Sequence, residues 1–196
     1  MEISQKFTSD DWKNLNLSIK SSPNDWTKAI EVLKDRITKR YIEPVNLLIS
    51  HEKDNMCTER KFGFTIVAIV CLLIETLQAF KTGDKETIHM EEAFVKFLTE
   101  SKFLKEYFSE ELSKRFYKEY RNGILHQAQT KNGALIWSIG QKTIWIDTDN
   151  IMIINRTKLF SLLKQDFEYY LKQLASIDEK RLRKNFIKKM DFISKI

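Results

Sequence analysis

The stretch from Phe62 to Phe80 restricts the fold more than any other part of the chain. From Phe64 to Ile74 it runs eleven residues without a charge or an amide, and Glu75 and Gln78 then interrupt it. A membrane span needs about 20 apolar residues, so a run this short suits a buried helix. The sequence predicts a helix from about Arg60 to Lys81, apolar around most of its circumference and therefore wrapped by other helices. Only 5 Gly and 2 Pro occur in 196 residues, too few for a loop-rich or all-β chain, which again favours long helices. The expectation is a single, mainly α domain: a helical bundle, soluble and cytoplasmic, with no signal-peptide core in Met1 to Lys20.

The wrapping helices are legible in the apolar spacing. Asp25 is the expected cap of a first long helix in which Trp26, Ile30, Leu33 and Ile37 recur at three and four residues. Pro44 removes a backbone donor and should kink or split its continuation. The polar run His51 to Lys61 reads as a loop, and Thr87 to Phe108 as a third helical region. Ser109-Glu110-Glu111 opens a further helix with a capping residue and first-turn acids, expected to end near Lys131-Asn132 with Gly133 as its stop.

After Gly133 the apolar period changes from 3.6 to 2. Ala134–Ile139, Thr143–Asp147 and Ile151–Asn155 read as a small antiparallel β-hairpin or meander inserted at about 134–155, between the last core helices. A helix returns from Thr157 to Ser176. The resulting division is an N-terminal extension (1–22), a helical domain (23–177) and a C-terminal amphipathic helix (178–196). Seven basic residues in that last segment stand against Asp178, Glu179 and Asp191, and the formal charge of the whole chain is +6. Lys180, Arg181, Arg183 and Lys184 are candidate nucleic-acid contacts, with a solvated basic helix face as the simpler reading. Cys57 and Cys71 have no CxxC or Cys/His ligand spacing, so neither a zinc site nor a cofactor is expected.

The residues able to do chemistry cluster in Tyr120-Arg121-Asn122-Gly123-Ile124-Leu125-His126-Gln127. A guanidinium can hold a phosphate bidentately, an imidazole can move a proton near neutral pH, and a carboxamide can orient either. Asn122-Gly123 is a strong turn dipeptide, yet the apolar rows cross it in phase, so the helix is expected to continue. On a regular helix Asn122 and His126 share a face, whereas Arg121 lies about 140° round from His126. Gly123 distorts the helix, or long side chains converge, or two copies of the helix meet across a two-fold axis; the sequence reading favours the last. Glu75 closes the apolar row of Phe64, Ala68 and Cys71 and needs a partner if buried, so its structural reading is pairing with an arginine or a backbone donor; Arg121 in turn would pair with Glu75 or another acid.

Arg121-Asn122-Gly123-Ile124-Leu125-His126 resembles the Arg-x(4–6)-His motif of the HEPN superfamily, and helix order is similar over roughly residues 25–175. The strings Phe116 to Thr130 and Cys71 to Phe80 look like uncharacterised bacterial proteins of this type. The resemblance implies a helical bundle, a homodimer with the motif at its interface, and metal-independent cleavage of RNA. Members serve as toxins and anti-phage effectors, so an antitoxin or other regulatory partner is implied, and no membrane. Carried over by position, Arg121 binds phosphate, Asn122 supports it and His126 is the acid/base, with Glu75 and Tyr120 as supporting residues. A non-catalytic nucleic-acid, nucleotide or protein-binding module is the alternative.

Overall fold

A computed structural model of the chain describes residues 1–54, 61–86 and 88–195. The protein is mainly helical, a helical bundle with a small three-stranded sheet. The apolar stretch forms helix α4 (Gly63–Thr82), with Ile66, Val67, Val70, Cys71, Ile74 and Leu77 buried. Arg60, its expected start, and Cys57 lie outside the described residues. Among those residues α4 is the one helix long and apolar enough to cross a membrane, and most of it is buried inside the protein, as a core helix is. The chain divides into two compact units, the first made of Met1–Pro44, Leu77–Ile88 and Phe167–Ile196, the second of Val45–Thr76 and His89–Asp166.

In the first unit, α1 (Ser9–Asn14) starts at a capping box in which Thr8 and Asp11 satisfy each other's backbone N–H. Helix α2 (Pro23–Ile37) uses the same device with Ser22 as the cap and Asp25 as its third-residue partner. Asp25 is therefore not the cap itself. Pro23 at the first helical position gives up an N–H that would have no helical partner anyway. The break expected at Pro44 falls just before it. Thr38–Ile42 form a π-helical turn, in which Glu43 N donates to Thr38 O, and the helix resumes as α3 (Glu43–Asp54). His51 through Asp54 belong to that helix, which corrects the loop expected from His51; residues 55–60 of that loop lie outside the described residues.

Residues 1–22 and 178–196 pack against each other in this unit. Phe186, on α9 (Lys180–Ile193), is the hub: the rings of Trp12, Trp26 and Phe80 lie 5.5, 5.9 and 6.1 Å from it. Trp12 Nε1 donates to Asp191 Oδ1 at 2.8 Å. Gly83 ends α4 at φ +75, where an added Cβ would also come within 3.0 Å of the Asn185 Cα.

In the second unit, α5 (Met90–Glu100) places Phe94 against Phe116 and Tyr117. Asp166, on α8 (Arg156–Ala175), pins the connection after α5 by accepting from Ser101 Oγ and, at 3.0 Å, from Lys102 N. Ser101 therefore ends α5 in extended backbone, and Lys102 to Tyr107 are turns rather than renewed helix. Arg156 and Glu52 form a buried ion pair, and Glu52 also accepts from Phe62 N at 3.0 Å.

The strands are β1 (Leu135–Trp137), β2 (Ile144–Ile146) and β3 (Met152–Asn155), in the order β1-β3-β2. β1 runs parallel to β3 and β2 antiparallel to it, so the sheet is mixed rather than an antiparallel meander. Period-two alternation fixes which face each residue takes but not which strand lies next to which. The connection from Ser138 to Thr143 is long enough to leave β3 room between β1 and β2.

Candidate functional site

The motif lies in one continuous helical segment of three pieces. α6 (Glu110–Phe116) starts at Ser109, whose Oγ accepts from Leu112 N. A π-helical turn, Tyr117–Arg121, follows, and then α7 (Asn122–Gln127). π-turns inside α-helices recur at functional sites because they rotate one side chain out of the regular register. The helix ends at Gln127 with Ala128 left-handed at φ 53, several residues before the expected stop at Gly133. The chain then doubles back over the helix, with Lys131 N donating to Glu119 O at 2.9 Å. Gly123 makes this possible, since a Cβ there would lie 2.4 Å from Gln129 O. The turn-prone Asn-Gly pair thus stays helical, and its glycine admits a neighbouring backbone.

Arg121 Nη1 donates to Asn122 Oδ1 at 3.1 Å and lies 3.4 Å from His126 Nε2. One chain therefore brings Arg121, Asn122 and His126 together. The long arginine side chain spans the angle that the helix puts between it and His126, so a second copy is not needed for them to meet. Arginine has only donors, so this contact uses the lone pair of Nε2 and leaves the ring proton on Nδ1. His126 is exposed, whereas Arg121 is 7% exposed.

The other edge of the guanidinium is held from below. Nε donates to Glu75 Oε1 at 2.6 Å and Nη2 to Glu75 Oε2 at 3.4 Å, one of the pairings read from the sequence. Its carbon lies 5.4 Å from the centre of the Tyr117 ring, and Nη2 lies 3.9 Å from Met90 Sδ. Burial works against the charge of Arg121, but the Glu75 carboxylate outweighs it and raises the guanidinium further above its already high value. Burial also pushes up the Tyr117 hydroxyl and the Cys71 thiol, the latter with help from the Glu75 charge. Tyr117 and Met90 were not singled out in the sequence. The four-residue spacing of Tyr117 and Arg121 was the available signal, and nothing local pointed to Met90.

Tyr120 is not part of this cluster. It is fully buried, and its hydroxyl lies 2.7 Å from Met152 O and 2.9 Å from Leu135 O, tying β3 to β1. Arg183 also turns away from the role read for it. It is 2% exposed, donates from Nε to Leu174 O at 2.9 Å and from Nη2 to Ala175 O at 3.0 Å, and stacks 4.2 Å from Trp26. It satisfies the last carbonyls of α8 and cannot contact a nucleic acid there. Lys180, Arg181 and Lys184 are exposed.

Set against protein-family models, curated proteins and solved structures, the chain matches none of them.

Proposed function

We propose that the protein is a metal-independent endoribonuclease that cleaves single-stranded RNA by attack of the ribose 2′-hydroxyl on the adjacent phosphate. The observation that carries this is the meeting of Arg121 Nη1 with Asn122 Oδ1 and His126 Nε2, where a largely buried helical segment reaches solvent at its last turn. The resemblance of residues 121–126 to the HEPN motif points the same way. In this reading the phosphate replaces His126 Nε2 as the acceptor for Arg121 Nη1, and the freed Nε2 lone pair takes the 2′-hydroxyl proton as the 2′ oxygen bonds to phosphorus and the 5′ oxygen leaves. Arg121 stabilises the charge on the non-bridging oxygens, held in place by Glu75 so that it needs little reorganisation.

The leaving oxygen must gain a proton, and the residues gathered at Arg121 include one imidazole. A two-fold homodimer would supply a second His126 for that step, which supports a composite site. Action in the cytoplasm, in phage defence or beside an antitoxin, follows from the same resemblance. The test is incubation of the pure protein with RNA in EDTA. Fragments ending in 2′,3′-cyclic phosphate, absent with His126→Ala, are expected; an inert wild-type protein across varied RNAs would refute the reading.

A second reading rests on the Arg121–Glu75 pair, which holds a mostly buried guanidinium as a structural ion pair also does. There the domain is a non-catalytic nucleic-acid, nucleotide or protein-binding module, and exposed Lys180, Arg181 and Lys184 are its polyanion contacts. Salt-dependent RNA binding, lost on neutralising those three and unaccompanied by cleavage, distinguishes it.

A further inference from the structure

The central strand β3 is buried on both faces, and the exposed apolar side chains of the sheet belong to its two edge strands. Ile136 of β1 packs at Gly63, its Cγ2 3.1 Å from where a Cβ would stand. Leu135 and Trp137 point the opposite way, and the register places Trp145 of β2 and Leu135 of β1 on either side of Ile153, on one face. On that outer face Leu135 and Trp137 are each 44% exposed, and Ile139 beyond the strand is 59% exposed. The Trp137 and Trp145 rings meet edge to face, 5.6 Å apart at 82°. An edge-to-face contact covers one face of one ring, so the pair itself does not bar a flat partner from the half-exposed indoles.

The segment that builds β1 and β2 is basic up to the end of β2, after which the carboxylates of Asp147 and Asp149 follow. No Asp or Glu occurs between Glu119 and Asp147, while Arg121, His126, Lys131 and Lys142 all fall in that interval. Lys142 is exposed in the connection that follows Trp137, and Lys158 Nζ donates to Gln141 O in the same connection. The same carboxylate-free segment carries the catalytic candidates at one end and the two tryptophans at the other.

We propose that this face is a stacking platform for unpaired nucleobases of single-stranded RNA, with Trp137 and Trp145 contacting the bases and Lys142 the backbone. The assignment of RNA as the ligand rests on the ribonuclease reading. An aromatic surface with an exposed lysine beside it suits single strands, because every base offers a π-face and every phosphate a charge. A second copy of the chain fits less well. Only a few side chains make up the patch, whereas a stable interface engages about 20–30 residues a side.

The test uses the full chain carrying His126→Ala, in EDTA, and an unstructured RNA of about twelve nucleotides. Trp12 and Trp26 are buried, so quenching of tryptophan fluorescence on binding reports Trp137 and Trp145. Trp137→Leu and Trp145→Leu, which keep an apolar side chain but no ring, should each weaken binding roughly ten-fold or more, while Trp137→Phe keeps most of it. A duplex of the same length should bind far more weakly. Binding by both leucine variants within two-fold of the parent overturns the platform. So does failure of the parent to bind, or a dimer that the leucine substitutions split with RNA affinity unchanged. Cleavage is scored separately with His126 intact. Cleavage that is indifferent to both tryptophans refutes the platform and leaves the ribonuclease standing. Tryptophan-dependent binding without cleavage does the reverse.

Discussion

Replacing Glu75 by Gln removes the charge that holds Arg121 while keeping the shape and one acceptor. The side chains of Arg121 and Glu75 are 8% and 20% exposed. Exposed pairs contribute about 0–1 kcal/mol, whereas breaking a fully buried one costs about 3–5. A pair this far from solvent, with one 2.6 Å bond and one 3.4 Å bond, lies between those limits. The expected loss is about 2 kcal/mol, a fall in Tm of about 4–8 °C for a chain of this size. Urea and thermal unfolding of wild type, Glu75→Gln, Arg121→Met and the double variant measure it. The cost comes from leaving a charge without its partner, so the double variant should lose at least about 1 kcal/mol less than the sum of the singles. Additive losses, or a Glu75→Gln variant within about 0.5 kcal/mol of wild type, would show that the pair does not hold the guanidinium. On the proposed ribonuclease reading RNA cleavage should fall in parallel, since the Nε and Nη2 contacts that fix the guanidinium and so aim Nη1 at His126 are weakened.

Gly123→Ala should destabilise by about 2–3 kcal/mol by urea unfolding, because its Cβ would stand 2.4 Å from Gln129 O; an open helical glycine would instead gain up to about 1 kcal/mol from the same change. Arg183→Met should cost about 2 kcal/mol by uncapping Leu174 and Ala175, while Lys184→Ala, at an exposed position one residue on, should stay within about 0.5 kcal/mol. Tyr120→Phe should lose about 1–2 kcal/mol by leaving a buried carbonyl of β1 or β3 without its donor. In a Cys57→Ser background, Cys71 should react with a thiol reagent at pH 8 only on unfolding, since burial and the Glu75 charge keep its thiol protonated.

The sequence by itself determined the helices, because burial against a common core imposes a 3.6-residue apolar period that needs no knowledge of the partner helix. That Glu75 needs a partner was legible for a related reason, since a carboxylate closing an apolar stripe must be paired or hydrogen-bonded, with Arg121 one of the partners open to it. Local chemistry set Ser109 as a cap and Gly83 as a stop. What only the tertiary structure decided depends on segments distant in sequence. The order β1-β3-β2 follows from which edges meet, and alternation carries no record of that. The inward turn of Arg183 depends on the end of α8 and on Trp26, and its basic charge predicted the reverse. Tyr120 and Arg121 are adjacent in the chain, yet one ties two strands together and the other meets Glu75 and His126. The difference is set by which neighbours the helix packs against on each side.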